Sequence, residues 1–167
     1  MSSEHQADVS TEILSGPQAE ERKATKARTE GESERLRARQ VKEKHGGQPV
    51  TITDTLRVET GNFRGELTFD YWFDGLQFNF KTVQYRITLL NGQSGGNKAN
   101  INLHLWNEPS EWKHNSPDAM WQDGQWHNYP NADVSLRAWG WITVYVTFIF
   151  DKSGDDPSGY VWKQYFG

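Results

Sequence analysis

From residue 49 onward, apolar side chains recur at every second position, the period of a strand with one buried face. In 50–58, Val50, Ile52 and, after a slip, Leu56 and Val58 stand among threonines, which is strand composition. Residues 66–73 put Leu67, Phe69, Tyr71 and Phe73 on one face and Thr68, Asp70 and Trp72 on the other. In 76–90 the inward set Leu76, Phe78, Phe80 changes phase to Val83, Tyr85, Ile87, Leu89, so a bulge or break is predicted near Lys81 and Thr82. Asp74-Gly75 just before it predicts a tight hairpin turn. Residues 99–106 place Ile101, Leu103 and Leu105 inward and Asn102, His104 and Trp106 outward.

The segment 139–150, WGWITVYVTFIF, is apolar or aromatic on both faces. Its even positions, Ile142, Val144, Val146, Phe148 and Phe150, form an unbroken core face. Its odd positions, Trp139, Trp141, Thr143, Tyr145, Thr147 and Ile149, are aromatic at one end and mixed at the other. A turn over 151–159 then leads to a last strand, YVWKQYF. With Gly, Asn, Asp and Pro between these stretches and no helical period, 49–167 reads as one all-β domain, a single antiparallel β-sandwich of jelly-roll or lectin-like type. The connection 107–132 exceeds ordinary loop length, so it is functional, folded on itself or partly strand, with 125–129 the best hidden strand.

Composition divides the chain. All 22 aromatic residues lie at or after Phe63, and residues 1–48 hold none. That first region balances nine basic residues against nine acidic ones, so the net charge of -4 belongs wholly to the remainder. Gly16-Pro17 and the Glu32/Arg35 and Glu34/Arg37 pairs permit a helix there, but Gly31 interrupts it and Ala19, Ala24, Ala27, Leu36 and Val41 form no seam. A charged arm, disordered or a frayed helix, is the expectation, because it has too little apolar surface to offset its ordering entropy. The functional alternative is an arm that docks on a partner.

The overall negative charge argues against a nucleic-acid partner. Without cysteine the fold has no disulfide and no thiolate chemistry. Residues 1–18 lack the basic start and apolar stretch of a secretory signal, so the expected location is cytoplasmic, with release by a non-signal route left open. Asp70, Lys81 and Arg86 in mid-strand speak against a permanent membrane barrel.

No P-loop occurs, and an enzyme is not expected. A zinc set of His104, His114 and His127 with Asp118 or Asp123 is chemically acceptable, yet its spacing is too wide to indicate a site, so no metal and no cofactor is assigned. Asp151, Ser153 and Asp155 start like a calcium loop, which then fails at Asp156 and Trp162.

What remains is the aromatic second face. Trp72, His104, Trp106, Trp139, Trp141 and Tyr145, mingled with Asp70 and Asn102, are the candidate ligand contacts. Pyranose C–H edges stack on such rings while hydroxyls pair with planar polar groups, so a glycan or cell-surface ligand is the expected partner. Trp112, Trp121, Trp126 and Tyr129 of the long connection are candidates for further ligand contact or for docking on a membrane surface, in the manner of a toxin. Two blander readings stand beside these: the long connection covers the second face as a satellite core, or the domain is an assembly component with the arm as its docking element. Oligomeric state is left open.

Overall fold

The computed structural model describes residues 49–130 and 132–167; the reading of 1–48 as a disordered or frayed-helical arm lies outside the described residues. None of the described residues is helical. Nine strands follow in order: β1 (Ile52–Thr60), β2 (Phe63–Asp74), β3 (Gln77–Leu89), β4 (Asn100–Trp106), β5 (Glu111–Asn115), β6 (His127–Asn128), β7 (Asp133–Arg137), β8 (Trp141–Ile149) and β9 (Ser158–Phe166).

They form two antiparallel sheets packed face to face. One runs β1-β2-β3, with β6 and β7 both paired to the far side of β3; the other runs β5-β4-β8-β9. The inward faces meet in one core that includes Leu67, Phe69, Phe78, Val144, Val146 and Phe148. Antiparallel neighbours require only tight turns, and glycine supplies them: Gly61 (φ 57°) and Gly75 (φ 59°) take the left-handed backbone that a Cβ disfavours. Gly65 serves another purpose, since a Cβ there would run into the Phe148 ring of the opposite sheet.

The phase change of β3 is a bulge. Thr68 pairs with Gln84 and Phe69 with Thr82, which leaves Val83 as the extra residue, one place beyond the expected Lys81-Thr82 break. Thr82 is buried, and its hydroxyl accepts from the Ala132 N–H at 3.3 Å, so a polar inward side chain is satisfied where alternation fails.

Three expectations are corrected. β1 has no slip: its register against β2 is continuous, and Asp54 occupies the inward position between Ile52 and Leu56. Leu76 is not inward but sits in the β2–β3 turn, 51% exposed. Residues 133–137 form an additional strand, β7, whose Val134 and Leu136 pair with Phe80 and Phe78. Two apolar residues were too short a pattern to announce it. The long connection does contain strand, at β5 and at His127–Asn128 within the expected 125–129.

Candidate functional site

The outward residues of the second sheet lie in rows fixed by register. Trp106 stands between Glu111 and Thr143, and His104 between Lys113 and Tyr145. Tyr145 in turn lies opposite Trp162, and Thr147 opposite Tyr160. Alternation along each strand sends these side chains away from the core. Because Thr143 is small, the Trp141 ring reaches Trp106 diagonally, edge to face, with centroids 5.9 Å apart at 83°. Further along, Tyr145 and Tyr160 stack at 5.2 Å and 7°.

At the β4–β5 end this face carries a shallow, largely open depression. A hollow of about 450 Å³ is lined by His104, Trp106, Glu111 and the 107–110 turn. Glu111 Oε2 lies 2.7 Å from His104 Nε2 in a solvent-exposed pair. The turn is held by Asn107, buried and fully engaged: Nδ2 donates to the carbonyls of Arg137 and Trp141, both at 3.1 Å, and Oδ1 accepts from Ser110 N–H at 3.0 Å. The hollow thus sets an indole beside a carboxylate and an imidazole, on two strands and a turn pinned by Asn107.

Of the expected contacts, the structure brings together His104, Trp106, Trp141 and Tyr145. Trp72 lies on the outer face of the other sheet, opposite Asn79, whose Oδ1 accepts from Ser135 Oγ at 2.7 Å. Trp139 occupies the turn between β7 and β8 and is 57% exposed. Its neighbour Ala138 donates its N–H to Leu76 O at 2.7 Å, which puts two exposed apolar side chains at one end of the sandwich.

The four residues of the long connection separate into two kinds. Trp112 packs against core Phe80 at 6.2 Å and stacks on His114 at 5.5 Å. Tyr129 is buried, its hydroxyl donating to Ile101 O at 3.0 Å, and burial pushes its phenol far above the ordinary range. Trp121 and Trp126 are exposed, Trp121 stacked on His127 and Trp126 over the Arg86 guanidinium at 4.6 Å. The connection therefore lines sheet edges, through β5 on β4 and β6 on β3.

Glu111, Asn107, Tyr160 and Trp162 belong to this face but were not among the ligand contacts expected from sequence. Alternation in YVWKQYF could have placed Tyr160 and Trp162 outward; nothing local marks Glu111 or Asn107.

The three histidines of the folded region go separate ways: His104 to Glu111, His114 to Trp112, and His127 to Asp123, whose two carboxylate oxygens are each 2.9 Å from Nε2. Among the described residues no three His, Asp or Glu side chains gather as a metal site. Burial by itself would raise the Asp123 carboxyl, but the Gln125 N–H, the His127 hydrogen bond and its charge together hold it below the usual value. Beside it the Tyr85 hydroxyl accepts from Trp121 N–H at 3.0 Å. Desolvation raises this phenol, the donated hydrogen bond opposes that, and the Asp123 charge adds to it.

Compared with known protein families, with characterised proteins and with solved structures, the chain has no significant match.

Proposed function

We propose that the domain is a non-enzymatic binding module for a glycan or cell-surface ligand, which it takes into the hollow beside Trp106. The observation that carries this reading is the edge-to-face Trp106–Trp141 pair standing next to the His104–Glu111 pair. A sugar ring has an apolar C–H face and hydroxyls at its rim. The indole wall supplies the stacking surface, and Glu111 with His104 supplies an acceptor and a ring nitrogen for neighbouring hydroxyls.

Titration of intrinsic tryptophan fluorescence against a glycan panel tests this reading. Trp106→Ala is expected to weaken a hit roughly tenfold or more, equivalent to about 1.4 kcal/mol of lost stacking. Glu111→Gln should weaken it less, and Trp72→Ala, on the opposite sheet, should leave it unchanged. A hit that survives Trp106→Ala, or a panel without any hit, rules the reading out.

A second reading follows from exposed Trp121 and Trp126, which flank the same stretch of β3 through His127, paired with Tyr85, and through Arg86. Such rings suit the headgroup layer of a membrane. Flotation with neutral and anionic liposomes distinguishes the two, because Trp121→Ala with Trp126→Ala would abolish lipid binding and spare glycan binding.

A further inference from the structure

The outer face of β8 and β9 is built like an interior. Trp162 is 4% exposed, Gln164 4% and Thr143 3%, although β9 is the last strand of its sheet. An indole on the solvent face of an edge strand would keep much of its ring wet, so this face is one that is meant to be covered. Its polar groups agree. Gln164 Nε2 is directed at Thr143 Oγ1 at 3.3 Å, which turns Oε1 the other way. Gln164 Oε1 and Asn102 Oδ1 are both buried and receive no hydrogen bond among the described residues. Folded proteins seldom leave such acceptors unmet.

We infer that residues 1–48 of the same chain dock on this face, with arginine side chains supplying the donors that Gln164 and Asn102 require. The attachment point favours it. β1 begins at Ile52, opposite Tyr71, and the Tyr71 ring lies 4.5 Å from that of Tyr165 on β9. Residue 49 therefore enters the sandwich beside the carboxyl half of β9. The ten residues from Arg39 to Pro49 can extend roughly 33 Å, whereas crossing from β9 to β4 takes two strand spacings, about 10 Å.

The chemistry also fits. A guanidinium lies flat on aromatic rings while donating hydrogen bonds in its plane. The face offers the stacked Tyr145–Tyr160 pair and the two amide oxygens, and the segment carries Arg22, Arg28, Arg35, Arg37 and Arg39. A tethered segment reaches this face at an effective concentration of order mM, well above that of a second copy in dilute solution. Docking there holds whether or not a glycan binds beside Trp106.

Because the chain has no cysteine, Ser33→Cys gives the full-length protein a single attachment point for a nitroxide. The expected result is selective loss of amide signal intensity at Thr143, Tyr145, Trp162 and Gln164, with Thr68 and Gln84 on the opposite sheet unaffected. The loss should persist when the labelled chain is diluted into excess isotopically silent protein. Replacing Arg35, Arg37 and Arg39 together by serine should remove it while core amide shifts stay in place. Uniform loss or none overturns the inference, as does survival of the effect in the arginine variant. Loss transmitted from spin-labelled to spin-free chains in a mixed sample also overturns it, and assigns the face to a second copy.

Discussion

Tyr165 and Asp54 meet across the seam between the two sheets: the phenol hydroxyl donates to Asp54 Oδ2 at 2.6 Å. Lys163 Nζ reaches the same oxygen at 3.1 Å and lies 4.9 Å from the Tyr165 ring centroid. β1 and β9 are edge strands of different sheets and share no ladder, so this cluster fastens the open side of the sandwich.

Tyr165→Phe keeps the ring and removes only the donor. It is expected to lower stability by about 1–2 kcal/mol, within the range for a hydrogen bond to a charged acceptor that is part-solvated. Lys163→Met should lose less, under about 1 kcal/mol, because the ion pair is partly screened. Urea unfolding with unchanged slope is the measurement. A lysine variant weaker than the tyrosine variant would show that the ion pair, not the phenol, closes the seam.

Gln122 is completely buried and ties two loops to a third. Its Nε2 donates to Asp151 O, its Oε1 accepts from Asp151 N–H, both at 2.9 Å, and its backbone pairs with Gly95 and Gly96. Gln122→Met matches the volume but leaves both Asp151 backbone groups unmet. A loss of about 2–4 kcal/mol is expected, together with faster amide exchange at Asp151 and Gly95. If exchange there is unchanged, the amide is not what holds these loops.

Gly65→Ala would set a Cβ 2.6 Å from Phe148 Cγ, inside the ring's contact radius. Overpacking of this kind costs about 1–3 kcal/mol. Phe148→Leu is destabilising in its own right, yet in its presence the alanine should cost clearly less. A double-mutant cycle by thermal unfolding measures that coupling, and additivity would show that the sheets can simply move apart.

Asp123 provides a pH signature. Its carboxyl is held below the ordinary 3.8, so the folded state binds that proton less readily than the unfolded chain. The resulting stability is fully present above pH 3.8 and is lost as the pH falls through the depressed folded value. Asp123→Asn should therefore be less stable than the parent at neutral pH, by well under about 1 kcal/mol for a group this exposed. The two proteins should converge under strong acid. A difference that grows on acidification would reverse the sign and exclude the His127 pairing as its source.

How far the chain announces itself depends on the range of the interaction. Alternation is local, so β2, β4 and β8 were legible with their inward sets, as was the need for a bulge in β3, because a phase change shows in one strand alone. β7 escaped notice because Val134 and Leu136 gain their meaning only from Phe78 and Phe80 on β3, more than fifty positions away in the chain. Asp54 looked like an interruption of β1 until Tyr165 and Lys163 arrived from the far end of the sequence.

The same division runs through the candidate site. That Trp106 and Tyr145 point away from the core follows from parity within their own strands. That they share a face with Glu111 and Trp162, while Trp72 lies on the opposite sheet, depends on which strands become neighbours. A strand's pleat dictates which side each residue takes, and one chain segment contains that information; adjacency comes from hydrogen bonds between segments, and only the folded molecule brings those together.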